Sequence, residues 1–179
     1  MPPAPAQPTA PVALICGDED FAVKQRARQL HDKWCAEVGG MDHETVDAAV
    51  GNSGDALKAL GKLREALQTL PFFGGGKVVW FKDCSFLGDD RTSGSSAVTE
   101  ALADLAAELK AFRWDGVRLL VAERLVGIEQ HARAERLVRG LVDDDEAARR
   151  PVATVGVEGQ RRAGAQAHAA DLVELERRG

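Results

Sequence analysis

Apolar positions along this chain come in blocks with two rhythms, continuous short runs and helical repeats, separated by glycine, proline and acidic punctuation. Val12-Ala13-Leu14-Ile15-Cys16 is an unbroken apolar run stopped by Gly17 and predicts a short buried strand. Asp18-Glu19-Asp20 then offers helix caps and negative charge where a helix dipole favours it. Phe21, Ala27, Leu30, Trp34 and Val38 fall at helical spacing and predict a first helix of about 20 residues ending at Gly39-Gly40. Residues 46–50 predict a weak second strand, and Asn52-Ser53 caps a second helix. In that helix Leu57, Leu60, Leu63, Leu67 and Leu70, spaced 3, 3, 4 and 3, share one face. A third helix carries Val98, Leu102, Leu105, Leu109 and Phe112 at spacings of 4, 3, 4 and 3. Strands are expected at residues 77–83 and 116–121, with a polar loop over residues 88–96. Strands alternating with helices through short links predict an α/β fold, a parallel sheet flanked by helices.

The chain is organised around Leu70-Pro71-Phe72-Phe73-Gly74-Gly75-Gly76-Lys77, where the second helix turns into the third strand. Pro71 disfavours helix in the residue before it, so the second helix ends near Leu70. Three glycines free the backbone to turn, and Val78-Val79-Trp80-Phe81 has the β-branched and aromatic character of a strand covered on both faces. Two readings are open for the phenylalanines. They close the core, or part of the corner stays exposed as a hydrophobic plug for a partner's pocket.

Composition narrows the class. The 179 residues, 45% hydrophobic and 28% charged, suit one soluble domain with a tail. A net charge of −5 gives no global field to draw the whole chain onto nucleic acid. Cys16, Cys35 and Cys84 form no CxxC pair, and an odd number without a secretion signal implies reduced thiols in the cytoplasm. Cys16 and Cys84 read as small core residues. Residues 1–11 hold five of the seven prolines and read as a flexible tail, neither signal peptide nor membrane anchor. No apolar run is long enough to span a bilayer.

Beyond Val121 the alphabet changes. All seven lysines lie at or before Lys110, 12 of the 16 arginines lie after it, and no Phe, Trp or Tyr follows Trp114. Helices over residues 128–142 and 165–178 and a strand over residues 152–157 are possible, but their apolar faces are thin. Two explanations stay open for residues 122–179: a distinct small region, or GC-rich DNA read out of frame.

Chemical motifs are few. Gly74-Gly75-Gly76-Lys77 lacks the earlier glycine of a phosphate loop, has Val78 where Ser or Thr is needed, and runs helix to strand instead of strand to helix. The place for a phosphate cradle is the turn after the first strand, and there Asp18, Glu19 and Asp20 would repel a triphosphate. His31, His43, His131 and His168 show no zinc spacing, and Asp143-Asp144-Asp145-Glu146 lacks the alternation of a calcium loop. No serine occupies a GxSxG elbow. Asp42 and Asp47 are an acid pair only on paper, and Arg26, Arg28 and Lys33 read as a solvated helix face. No catalytic residue, cofactor or metal is expected, and a binding module is favoured over an enzyme. Two rivals remain, a non-catalytic α/β adaptor with the aromatic pair buried, and a small metal-dependent enzyme using Asp18, Glu19 or Asp42.

Taken together, the first strand with Gly17-Asp18-Glu19-Asp20-Phe21, the Leu70-Pro71-Phe72-Phe73 corner and the strand Lys77-Val78-Val79-Trp80-Phe81 resemble the N-terminal domain of the delta subunit of bacterial DNA polymerase III. The resemblance covers residues 12–121. It implies an AAA+-like (P-loop NTPase-like) domain without a functional phosphate loop, in a clamp-loader subunit that binds and opens the sliding clamp during DNA replication. Such a subunit hydrolyses no ATP itself, although it serves the polymerase holoenzyme. By position, the resemblance assigns clamp binding to Leu70, Phe72 and Phe73. It implies the sliding clamp and other clamp-loader subunits as partners, DNA contact that is weak or indirect, and no membrane. Family members continue well beyond this length with a helical lid and a collar domain, so the resemblance also implies a truncated or frame-shifted copy.

Overall fold

The structure is a computed structural model and describes residues 11–69, 71, 74–87, 92, 94–125, 130, 132, 134 and 153–157. In chain order the elements are β1 (Val12–Gly17), α1 (Asp20–Val38), β2 (Glu44–Asp47), α2 (Ser53–Gln68), β3 (Lys77–Cys84), α3 (Ser96–Lys110), β4 (Val117–Arg124) and β5 (Ala153–Val157). The five strands form one sheet in the order β2-β3-β4-β1-β5, with every described pairing parallel. The fold is α/β, and its arrangement is consistent with a P-loop-like domain.

Alternation along the strands assigns one side chain in two to each face, and helices cover both. On one face Ala13, Ile15, Val78, Trp80, Leu120 and Ala122 pack with Val23, Ala27 and Trp34 of α1. On the other, Leu14, Val79, Phe81, Leu119 and Val121 pack with the apolar stripes of α2 and α3. Double coverage is why residues 12–16 of β1, 78–81 of β3 and 119–122 of β4 read as unbroken apolar runs. Cys16 and Cys84 are core residues on the second face, as expected. The region beyond Val121 contributes too. Leu125 donates its N–H to the Gly17 carbonyl at 2.9 Å, Ala134 is buried in the α2–α3 core, and β5 falls within residues 152–157, where the sequence allowed a strand without favouring one.

Three sequence expectations shift. Phe21 is 71% exposed, because the buried stripe of α1 is Val23, Ala27, Leu30, Trp34 and Val38, spaced 4, 3, 4 and 4. Phe21 lies two residues, about 200° of helical rotation, off that stripe. Leu57 is 37% exposed for a related reason: Ala56, Ala59, Leu60, Leu63, Ala66 and Leu67 make the contact face of α2, and Leu57 borders it. The second strand lies at Glu44–Asp47 rather than over residues 46–50. There Asp47 Oδ1 accepts the Ala49 N–H at 3.0 Å and Ser85 Oγ accepts the Val50 N–H at 3.2 Å, so side chains take over the hydrogen bonds a longer strand would need. Arg26, Arg28 and Lys33 lie on the solvated side of α1, as read from the sequence. Among the described residues no helix is long and apolar enough to cross a membrane.

Gly61 sits in the exposed middle of α2, and a methyl group there would meet no atom within 4 Å. Gly61→Ala is expected to stabilise the protein by about 1 kcal/mol, the helix-propensity difference. Denaturant unfolding measures it, and a loss of stability would contradict this account of α2.

Candidate partner-binding corner at the amino edge of the sheet

In a parallel sheet all strands start at one edge, and the loops that enter them converge there. Loops 39–43, 69–76 and 111–116, which lead into β2, β3 and β4, form this amino edge. The first anchor of the corner is Lys77, the opening residue of β3 and only 1% exposed. Its ammonium donates to Glu44 Oε1 at 2.6 Å, to the Ala66 carbonyl at 2.6 Å and to the Thr69 carbonyl at 3.1 Å. An ammonium has three protons, and all three find oxygen acceptors. No basic residue lies in the last turn of α2, so a strand lysine supplies the positive charge that the carboxyl end of that helix lacks. Thr69 completes the cap by returning its N–H (3.0 Å) and its hydroxyl (2.8 Å) to the Glu65 carbonyl. The helix therefore ends at Gln68, two residues before the limit inferred from Pro71.

The second anchor is a set of glycines in backbone contact. Gly76 donates its N–H to the Val38 carbonyl at 2.9 Å, and Lys77 donates to the Gly116 carbonyl at 2.7 Å. A Cβ on Gly76 would stand 2.6 Å from both the Gly116 carbonyl oxygen and Val38 Cβ. Gly75 has φ +81°, and a Cβ there would lie 2.8 Å from the Gly40 nitrogen. The glycine run is thus required by close approach as well as by conformation. The corner residues Leu70, Phe72 and Phe73 lie outside the described residues, while both ends of their segment are fixed by these two anchors. A groove of about 370 Å³ runs between the carboxyl-terminal halves of α2 and α3. Leu67, Leu105, Leu109 and Phe112 line it, and the Arg64–Glu108 ion pair at 2.6 Å lies along it.

A hydrogen-bonded ring cluster lies behind this edge. His43 Nδ1 accepts the Val78 N–H at 3.2 Å, extending the β2–β3 ladder beyond its last backbone pair. The His31 ring lies 6.5 Å from His43 and 5.0 Å from Trp80, centroid to centroid, and its Nε2 is 3.5 Å from Cys35 Sγ. With Nδ1 accepting, neutral His43 carries its proton on Nε2 and has no lone pair left for a metal. Among the described residues no three ligating side chains cluster. Burial, and secondarily His31, holds His43 below the ordinary histidine value, while burial and Asp32 push the Cys35 thiol up, away from the reactive thiolate.

The opposite, carboxyl edge holds the acidic turn. Only Asp18 and Glu19 separate β1 from α1, and both are exposed, as is Asp20. Arg124 Nε donates to the Asp18 carbonyl at 3.1 Å, and Lys24 pairs with Asp20 at 2.9 Å and Asp83 at 3.7 Å. Side-chain contact with Asp20 is the main reason the Lys24 ammonium is held above its ordinary value. A two-residue link has no length to wrap a phosphate in backbone N–H groups. The candidate acids are not assembled: Asp42 precedes β2 and Asp47 ends it, about 16 Å apart at the rise of a strand, and Asp18 and Glu19 share the edge of Asp47, not that of Asp42. His131, His168 and the acidic run at residues 143–146 lie outside the described residues. In the sequence Lys77 was weighed only as part of a phosphate loop and His43 only as a zinc ligand, and the bracing role of each was missed. A lysine opening an apolar strand, with a carboxylate opening the neighbouring one, was the available signal for the first.

The geometry defines a parallel α/β domain with an acidic first turn and a braced corner at its amino edge. No protein-family model matches the chain, and no curated protein matches it in sequence.

Lys77→Met is expected to destabilise the protein by about 3 kcal/mol, since it removes three charge-assisted hydrogen bonds and leaves two helix carbonyls to be resolvated. Glu44→Gln should cost less, about 1 kcal/mol, because the Glu44 side chain is 43% exposed. Equal losses in denaturant unfolding would contradict the staple. His43 has its own signature. Its folded-state value lies below the ordinary 6.5, so between the two the unfolded chain binds more protons and stability rises with pH. That contribution is complete above the ordinary value and is lost as pH falls through 6.5 toward the folded value. Thermal unfolding from pH 7.5 to 5 should show a shallower slope in His43→Gln, whose amide oxygen accepts the Val78 N–H without titrating. An identical slope would remove His43 as the cause.

Proposed function

We propose that this chain is a delta-like clamp-binding subunit of a bacterial replicative polymerase, acting in the cytoplasm by protein–protein contact and without catalysis of its own. Leu70, Phe72 and Phe73 form the contact, with the phenylalanines entering a hydrophobic pocket of the sliding clamp as a wedge. The observation that carries this reading is the bracing of the corner: Lys77 ties the end of α2 on one side and the glycine lock ties the start of β3 on the other. An aromatic anchor on a short segment between two tied ends meets a pocket with less ordering cost than one on a long loop. Burying two phenylalanines is worth about 3–6 kcal/mol before such costs, enough to bias a ring between closed and sprung states whose pockets differ.

The acidic two-residue turn after β1 supports a subunit that leaves ATP-driven work to other clamp-loader subunits. DNA contact is indirect or weak, in keeping with the net charge of −5. The adaptor reading differs in one consequence, since it seats both rings in the core. The double variant Phe72→Ala/Phe73→Ala should abolish binding to a purified bacterial sliding clamp while thermal unfolding stays within a few degrees of the parent. Retained binding removes the wedge, and lost binding accompanied by unfolding favours the adaptor.

A further inference from the structure

Among the described residues β2 is an edge strand, paired with β3 alone, and only Val46 of its four residues is buried. A strand with so little burial depends on the ties at its two ends. At the carboxyl end Ala48 donates its N–H to the Lys82 carbonyl at 2.8 Å, and Ser85 Oγ accepts the Val50 N–H. At the amino end the ties are the Glu44–Lys77 ion pair and the bond from the Val78 N–H to His43 Nδ1.

The last of these ties differs from the others. A backbone N–H can only donate, so the imidazole nitrogen that faces it must carry no proton. Protonation of His43 on that nitrogen sets two N–H groups against each other and leaves the Val78 N–H without its acceptor, at a residue that is fully buried. The surroundings work against the charged ring. From α1 it faces His31, with ring centroids 6.5 Å apart, and beside His31 stand Asp32, 3.4 Å from its Nδ1, and Cys35, 3.5 Å from its Nε2. From β3 the Trp80 ring closes the cluster, 5.0 Å from His31. Burial first and His31 second disfavour the charge on His43, and together they outweigh Asp42 of its own loop, which favours it. The carboxylate next along the chain, Glu44, is bonded to Lys77 at 2.6 Å.

We infer that His43 is a proton-operated latch on this edge strand: a proton on Nδ1 expels the Val78 N–H and loosens the entry to β2, residues 41–45, while the strands behind it stay paired. The opening is local, because β3 keeps its ladder to β4 and the far end of β2 keeps its bonds to Lys82 and Ser85. The latch is independent of the function proposed above. His31 acts on it from the neighbouring helix, since charge on one ring opposes charge on the other.

The test is a titration of the full chain from about pH 7.5 to 5, followed by nuclear magnetic resonance at the Val78 amide, the His31 and His43 rings and the amides of residues 41–45. The Val78 amide proton should move upfield with the same midpoint as the His43 ring, below 6.5, and the amides of residues 41–45 should broaden with it. The amides of Leu14 and Val121, in β1 and β4, should stay where they are. In His43→Gln, whose amide oxygen takes the Val78 N–H without titrating, the Val78 movement should vanish. In His31→Gln the His43 midpoint should rise. A Val78 amide that ignores the titration of His43, or that moves equally in His43→Gln, overturns the latch. Loss of all the strands together at one pH overturns it as well, because that is acid unfolding and no local opening. A His43 midpoint that does not rise in His31→Gln contradicts the part given to His31. Should a variant fail to show the parent β1 and β4 spectrum at the start of the titration, the parent chain decides by itself through the coincidence of its Val78 and His43 midpoints.

Discussion

A single buried ammonium holds the amino edge of this domain together. Lys77 begins the interior strand β3, second in the sheet, yet points into the face covered by α2, where its charge meets the carboxyl end of that helix and the carboxylate of Glu44. Burying a lysine is unfavourable unless its charge is compensated and its protons are all bonded, and here both conditions hold. The consequence is mechanical. The end of α2, the start of β3 and the start of β2 become one unit.

That constraint separates the two edges of the sheet. At the carboxyl edge, where α/β domains of this class cradle phosphate, the link is two residues long and carries carboxylates, with Lys24 and Arg124 already engaged by Asp20, Asp83 and the Asp18 carbonyl. At the amino edge three glycine-bearing loops meet at van der Waals limits around the corner. A partner engaging that edge leaves the opposite one untouched.

The sheet was legible because β1, β3 and β4 are buried on both faces and so read as continuous apolar runs. The helices were legible from their stripes, although the α1 stripe was placed two residues early by taking Phe21 for Val23. The ends of elements were less so. Strand β2 has only Val46 buried among its four residues, and the more apolar stretch after it leaves the sheet because Asp47 and Ser85 satisfy its N–H groups. The glycine run of the corner was visible, but its partners Gly40 and Gly116 are distant in sequence, and nothing local marks them as the surfaces it must approach. The bracing roles of Lys77 and His43 were missed for the same reason: each acts on an element more than seven residues away, through contacts that only the folded chain creates.

Hydrogen exchange of the full chain, with and without a purified bacterial sliding clamp, tests the central claim most directly. Protection gained at residues 39–43 and 69–76, with no change around Gly17, Asp83 and Arg124, is expected. Protection gained at the carboxyl edge, or none at either edge at saturating clamp, would contradict a braced amino-edge corner as the partner-binding element.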